Sequence, residues 1–182
     1  LGLIYNFGLL VFFKYTNFFI ENINALLTAT HVQIPTISVV MPLGISFYSF
    51  AAISYLIDAA RGDCEVETSF IDFALFLNFF ATVTQGPICR AGSLLPQLKA
   101  EHRFDAARTV QALRLLALGL FKLVAVSDVL GLLVDEVFPH YGSYGGPMLV
   151  LAAVFYTFQL YFNFSGYSEV ARAVGLLLGL TL

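Results

Sequence analysis

Long apolar stretches recur along this chain of 182 residues, and they restrict its fold more than any other feature. A helix that crosses the hydrocarbon core of a bilayer needs about 20 mostly apolar residues. Five stretches meet or approach this length: Leu1–Ile20, Thr36–Ala60, Phe70–Ile88, Thr109–Val134 and Met148–Phe164. A sixth is predicted to begin near Val170. The sequence therefore predicts an all-α polytopic membrane protein with about five to six transmembrane or re-entrant helices. Residues 1–182 are interpreted as a single membrane domain.

The composition supports the same class of protein. Hydrophobic residues make up 59% of the chain, charged residues only 12%, and the mean hydropathy is +0.83. Soluble proteins are closer to one quarter charged. The lipid bilayer is therefore an expected partner. Nucleic acid is not, because no basic patch with interleaved aromatic residues occurs. The two cysteines and the histidine spacing predict neither a disulfide framework nor a metal site.

Basic residues give a partial orientation. The segment Arg90–Arg108 carries four of them and is predicted to be cytoplasmic, whereas Asp135–Pro147 has none and is predicted to lie outside. The stretch Phe70–Ile88 stays ambiguous, because Gln85-Gly86-Pro87 interrupts its end. If this stretch spans the bilayer, residues 61–69 lie outside, and if it is re-entrant they lie inside. Both alternatives are open.

Polar residues inside an apolar run mark Leu160–Gly175. Polar and charged groups are costly in hydrocarbon and usually face a cavity or a partner. At about 100° per residue, one helical face carries Tyr156, Gln159, Asn163 and Tyr167, and the roughly opposite face carries Ser165, Glu169 and Arg172. Such a helix is expected either to lie in the middle of the protein or to break near Ser165-Gly166. Glu169 and Arg172 are three residues apart and could pair.

Other polar residues also lie within apolar stretches. Asp58 lies on one face of the second stretch. Lys122 and Asp128 lie on different faces of the fourth stretch, so each of these two is expected to find a partner on another segment. The alternative interpretation is that such groups only join helices by hydrogen bonds. This is favoured for Ser46, Ser49, Ser54 and Ser127, and the two interpretations are balanced for Asn163, Glu169, Arg90 and Asp58. The three histidines, His31, His102 and His140, fall in predicted loops and are not expected to be catalytic.

Short motifs follow one another in order along nearly the whole chain: Met41–Phe50 with Ile53–Asp58 and Arg61-Gly62, Ile71–Phe76, Gly86–Arg90, Leu95–Leu98, Gly119–Lys122 with Ser127-Asp128, Val134-Asp135 with Val137-Phe138, and Tyr161–Glu169. Together they resemble the membrane-bound O-acyltransferases, of the alginate O-acetylation type. The chain departs from the family's common pattern at Ala81–Gln85 and at Lys122-Leu123. The first departure bears on contacts near Gly86, and the second replaces the second of two lysines.

The resemblance implies acyl transfer across a membrane to a hydroxyl acceptor on an exported or cell-surface polysaccharide. The acyl donor, acetyl-CoA or another acyl carrier, would be a co-substrate, with no bound cofactor. The family's histidine lies in a later segment similar to Trp-His-x-Thr-Leu-Ser, so no catalytic residue is assigned here and the expected histidine lies beyond Leu182. The chain is thus interpreted as an internal piece of a longer protein, cut at both ends.

The resemblance further implies a substrate tunnel lined by candidate residues Asp58, Gln85, Arg90, Gln159, Asn163, Ser165, Tyr167 and Glu169, with Arg90 meeting phosphate or carboxylate at its cytoplasmic mouth. The protein is expected in the inner or plasma membrane as a multi-pass protein, with an acetyl-transfer partner in the periplasm or outside the cell. Three alternatives stay open: transfer of D-alanine to teichoic acid, a membrane transporter, and a structural membrane subunit.

Overall fold

The computed structural model describes residues 1–27, 33–38 and 40–182. All regular elements there are helices: α1 (Gly2–Leu26), α2 (Ile45–Arg61), α3 (Phe70–Leu77), α4 (Ala91–Lys99), α5 (Ala106–Leu120), α6 (Asp128–Val137) and α7 (Gly146–Leu178). Seven π-helical residues join α5 to α6, and we call them the π segment (Phe121–Ser127). Within the described residues, three continuous helices are long and apolar enough to cross a membrane: Gly2–Leu26, Ala106–Val137 and Gly146–Leu178. The prediction of an all-α membrane protein is confirmed.

The chain packs as two compact units. The first unit contains Leu1–Thr84 and Ile88–Pro96, and the second contains Gln85–Pro87 and Gln97–Leu182. The interpretation of residues 1–182 as one membrane domain stays a prediction.

In the first unit, α2 begins later than the apolar stretch predicts. It starts at Ile45 rather than near Thr36. Two residues explain the late start. Pro42 disfavours helical geometry at the preceding residue, and Gly44 adopts a left-handed conformation with φ of 74°. A Cβ at position 44 would lie 2.2 Å from the carbonyl oxygen of Val83, so this position requires glycine.

The stretch Phe70–Ile88 does not cross a membrane as a helix. Its helix α3 has only eight residues, which is about 12 Å against a hydrocarbon core of about 30 Å. Ser69 caps the start of α3 by accepting a hydrogen bond from the Asp72 amide. After Asn78 the backbone continues in turns closed by hydrogen bonds from the amides of Thr82 and Val83 to the carbonyl of Phe79. The structure thus excludes a crossing by one continuous helix, and the re-entrant alternative stays a prediction.

The second unit is built on a hairpin of two long helices. The first runs without interruption from Ala106 to Val137 through the π segment, and the second is α7, with 33 residues. Of the two alternatives for this helix, a break near Ser165-Gly166 does not occur, because α7 continues through both positions, and the prediction of a separate stretch from Val170 is wrong. Each of its polar faces has a partner on another segment, because Asn163 on one face binds Gln85 and Glu169 on the other binds Lys122.

Small residues let the two long helices approach closely. Ala112, Ala152 and Ala173 are completely buried. At the closest crossing, a Cβ on Gly119 would lie 2.9 Å from the carbonyl oxygen of Gly166, and a Cβ on Gly166 would lie 3.0 Å from that of Gly119. Small residues at such crossings are typical of membrane helices, because backbone-to-backbone packing replaces the hydrophobic drive that acts in water.

Candidate functional site

A buried ion pair lies where the π segment faces α7. The ammonium group of Lys122 donates to the Oε1 atom of Glu169 at 2.5 Å and to the hydroxyl of Ser165 at 3.0 Å. The side chains of Lys122 and Glu169 are only 19% and 16% exposed. Single π-helical turns within α-helices occur frequently at functional sites. Here the π segment places a lysine against a carboxylate in the middle of two apolar helices.

Two further contacts involve residues on the other polar face of α7. Gln85 donates from its amide nitrogen to the side-chain oxygen of Asn163 at 3.4 Å. The Ser127 hydroxyl, at the end of the π segment, donates to the backbone carbonyl of Gln159 at 3.2 Å. From Gln159 to Glu169, α7 rises about 15 Å. We call the side chains of Gln85, Lys122, Gln159, Asn163, Ser165 and Glu169, which lie along both polar faces of α7, the polar row.

The polar row holds acceptors that nothing in the described part of the chain satisfies. Gln159 Oε1 and Glu169 Oε2 are both buried and lack a hydrogen-bond partner there. A buried acceptor without a donor costs about 1–3 kcal/mol, so such atoms call for an explanation. A ligand hydroxyl or an amide N–H would satisfy either oxygen. The polar row therefore has the chemistry to hold a hydroxyl-bearing molecule.

A second polar site lies in the first unit. The buried carboxylate of Asp58 accepts a hydrogen bond of 2.6 Å from Arg90 Nη1 and a longer one of 3.5 Å from the Ser54 hydroxyl. The Arg90 side chain is 68% exposed, so its other N–H groups face outward. Beside the pair lies an open cavity of about 370 Å³ lined by Asp58, Arg61, Asp63, Cys64, Arg90, Gly92 and Ser93. Its two arginines and two aspartates give it a mixed charge.

The thiol in this cavity is expected to react slowly with alkylating reagents. Partial burial and the carboxylates of Asp58 and Asp63 raise the pKa of Cys64 above its ordinary value. Because only the thiolate reacts, the alkylation rate should still be rising above about pH 8.5, where an ordinary thiol has reached half of its full rate. Stopped-flow maleimide labelling in a Cys89→Ser background measures this. Asp63→Asn should speed labelling at neutral pH, and an unchanged rate would contradict the electrostatic explanation.

The structure brings most of the candidate residues together in these two places. Five candidates belong to the polar row: Gln85, Gln159, Asn163, Ser165 and Glu169. Asp58 and Arg90 form the pair in the first unit. Tyr167 is 42% exposed, so it lies apart from the buried contacts.

Lys122 is the residue that the candidate set lacked. The expectation that it finds a partner on another segment is confirmed. The pairing of Glu169 with Arg172 is wrong, because Glu169 pairs with Lys122 through Oε1 and Arg172 lies exposed. A lysine in the middle of an apolar helix was the available signal. Two histidines bind backbone carbonyls, His102 that of Gln97 and His140 that of Glu136. His31 lies outside the described residues.

Fold and site together define an α-helical membrane protein whose crossing helices bury paired polar groups. No protein-family profile matches the chain. The chain is 38% identical over 187 residues to the "Probable alginate O-acetylase AlgI" of Pseudomonas syringae pv. tomato, an alignment that covers 98% of the chain and 34% of the relative. It is 31% identical over 208 residues to the "Peptidoglycan O-acetyltransferase" of Helicobacter pylori, covering 100% of the chain and 39% of the relative.

A third relative, which aligns over less of the chain, is the "Teichoic acid D-alanyltransferase" of Streptococcus thermophilus, 32% identical over 145 residues, which covers 76% of the chain and 34% of that protein. The chain spans about a third of the length of these curated relatives. It belongs to the membrane-bound O-acyltransferase family. The resemblance carried by its motifs is thereby confirmed.

Proposed function

We propose that the whole protein is a membrane-bound O-acetyltransferase that modifies hydroxyl groups of an exported or cell-surface polysaccharide. Two relatives named as O-acetylating enzymes align with the chain over nearly its whole length, which supports this activity. The observation on this chain that carries the proposal is the polar row, because two of its buried acceptors lack a donor among the residues that the structure describes. A multi-pass protein in the inner or plasma membrane would give such a site access to both the donor and the exported acceptor.

In this reaction a hydroxyl oxygen of the acceptor attacks the acyl carbonyl of a thioester donor, acetyl-CoA or another acyl carrier. A carbon–oxygen bond forms, the carbon–sulfur bond breaks, and the hydroxyl proton passes through a general base to the leaving thiol. The base is expected to be a histidine outside this chain. The residues present would hold the acceptor: its hydroxyls donate to Gln159 Oε1 and Glu169 Oε2, while Lys122 balances the charge of the carboxylate.

The outward-facing N–H groups of Arg90 suit the phosphate of such a donor. Arginine binds phosphate through parallel charge-assisted hydrogen bonds, and one N–H is sufficient to hold Asp58 in place. A partner protein that carries acetyl groups on the outer side of the membrane would complete the delivery to the polysaccharide.

Transfer of D-alanine to teichoic acid is the second candidate. The match with the Streptococcus thermophilus protein favours it, since that relative aligns with the chain at 32% identity. The alignment covers only 76% of the chain, compared with 98% for the first relative. We therefore place acetyl transfer first.

Asn163→Ala is expected to lower acetyl transfer by the full-length protein at least about tenfold, which is about 1.4 kcal/mol in the activation free energy. The side chain of Asn163 holds Gln85, and its loss disorders the polar row where the acceptor would bind. The assay is transfer of labelled acetyl from acetyl-CoA to a polysaccharide acceptor in proteoliposomes.

Thr157→Ala is the matched control, because the exposed Thr157 hydroxyl bonds only to the carbonyl of Ala153 within the same helix. Equal activities of the two variants would contradict the role of the polar row. Uptake of acceptor without any new ester would instead favour a transporter. Ester formation from a D-alanyl carrier, but not from acetyl-CoA, would favour the second candidate.

A further inference from the structure

A loop of mixed charge precedes the first long helix of the second unit. We call it the basal loop (Glu101–Arg108). It surrounds an open cavity of about 780 Å³ lined by Glu101, His102, Arg103, Phe104, Asp105, Ala106 and Arg108. The helix that crosses the membrane begins within it, at Ala106. The cavity therefore lies at the end of a membrane-crossing segment, where the headgroups of lipids are found.

Local hydrogen bonds engage one of the two carboxylates of the basal loop. Asp105 caps α5 by accepting from the amides of Ala107 at 2.8 Å and Arg108 at 3.2 Å. A carboxylate in this position balances the partial positive charge of the helix N-terminus. The negative charge of Asp105 therefore offsets the positive charge of the neighbouring arginines less than the charge of a free carboxylate would. Glu101 is the remaining acid on the cavity wall.

The two arginines of the basal loop have N–H donors that could bind a ligand. Arg108 uses its Nη2 atom to bind the carbonyl of Arg103 at 2.6 Å, which folds its guanidinium over the loop. Arg103 itself is exposed. A guanidinium has five N–H donors in a planar fork that matches phosphate oxygens. Two guanidinium groups on one cavity favour an anion that carries phosphate.

Phe104 indicates which kind of phosphate compound fits. Its side chain lies between the two arginines in sequence and is 84% exposed. An aromatic side chain without cover at the end of a membrane helix is typical of the membrane interface, where aromatic rings lie at headgroup level. Inorganic phosphate would leave Phe104 in water, whereas a lipid would cover it with acyl chain.

We propose that the basal loop binds the headgroup of an anionic phospholipid, with Arg103 and Arg108 on the phosphate and Phe104 in the lipid interface. The orientation predicted by the basic residues agrees, because it places Arg90–Arg108 at the cytoplasmic leaflet, where anionic lipids attract basic segments. This site is separate from the polar row, and it does not depend on the transfer activity.

The test is native mass spectrometry of the full-length protein, released from detergent micelles that contain equal amounts of phosphatidylglycerol and phosphatidylcholine. The wild type is expected to retain phosphatidylglycerol at least about fivefold better, and Arg103→Gln to lower this preference about fivefold. Phe104→Ser should lower retention of phosphatidylglycerol without changing the charge. Arg172→Gln is the matched control, since it removes an exposed arginine outside the loop.

Equal retention of the two lipids by the wild type would overturn the proposal, and so would an Arg103→Gln variant that behaves like Arg172→Gln. Displacement of the lipid by excess coenzyme A would assign the cavity to a soluble phosphate compound instead. Monodisperse gel filtration shows that each variant is folded. If Arg103→Gln aggregates, the decision rests on Phe104→Ser, whose unchanged retention of phosphatidylglycerol would equally overturn the proposal.

Discussion

Lys122→Met is expected to lower the free energy of unfolding of the full-length protein by about 3–5 kcal/mol, the usual cost of leaving one charge of a buried pair without its partner. Lys122 supplies the hydrogen bonds at 2.5 Å to Glu169 and at 3.0 Å to Ser165. With methionine at position 122, the carboxylate of Glu169 would be left between apolar helices with neither of its oxygens satisfied. Denaturant unfolding in mixed micelles measures the change.

Two variants separate the ion pair from a general loss of positive charge. Arg103→Met removes an exposed positive charge outside the three membrane-crossing helices and should change the free energy of unfolding by less than about 0.5 kcal/mol. The double variant Lys122→Met/Glu169→Met removes both charges and should recover most of the stability, because apolar pairs of similar volume often replace buried ion pairs without cost. A double variant as unstable as Lys122→Met alone would show that the ion pair is not the cause.

Gly119→Ala is expected to destabilise the protein by about 2–3 kcal/mol through overpacking. The added Cβ would lie 2.9 Å from the carbonyl oxygen of Gly166 and 3.1 Å from the amide nitrogen of Val170. Both are backbone atoms in the interior of α7, so they cannot move aside as a flexible side chain can. The two long helices would have to separate at their closest crossing. The same mixed-micelle unfolding experiment measures the effect.

The sign of this effect distinguishes close packing from helix propensity. Alanine is favoured over glycine by about 0.8–1 kcal/mol inside a helix, so without the crossing the substitution would stabilise the protein. Gly8→Ala is the control, because Gly8 lies within α1 and its Cβ would meet nothing within 4 Å. Gly8→Ala should therefore be neutral or stabilising. Stabilisation by Gly119→Ala as well would contradict the close crossing of α5 and α7.

Much of the fold follows from the length of the apolar stretches alone. The fourth stretch, Thr109–Val134, lies within the continuous helix Ala106–Val137, and the fifth begins two residues after α7 does. Hydropathy locates such helices because unsatisfied backbone groups are excluded from hydrocarbon. The same measure failed at Thr36, where the sequence is apolar but Pro42 and Gly44 determine the local backbone.

Most members of the candidate site were predictable, with Lys122 as the exception, but their pairs were not. Polar residues stranded in apolar runs identified Asn163, Ser165 and Glu169, since their cost in hydrocarbon implies a partner. Which partner each residue has depends on how two helices are aligned, and no local pattern in the sequence specifies that. Arg172 was therefore a reasonable partner for Glu169 by spacing, although the lysine of the facing helix binds it in the structure.

The π segment also changes how the sequence of its helix should be read. A π turn closes hydrogen bonds from i to i+5 and so takes up one residue more than an α turn. Angular positions counted at 100° per residue from α5 are therefore out of phase with α6. Gly119 on one side and Gly131, Val134 and Val137 on the other are all buried. The extra residue of the π segment thus rotates α6 relative to α5. As a result, both helices present their small or apolar side to α7.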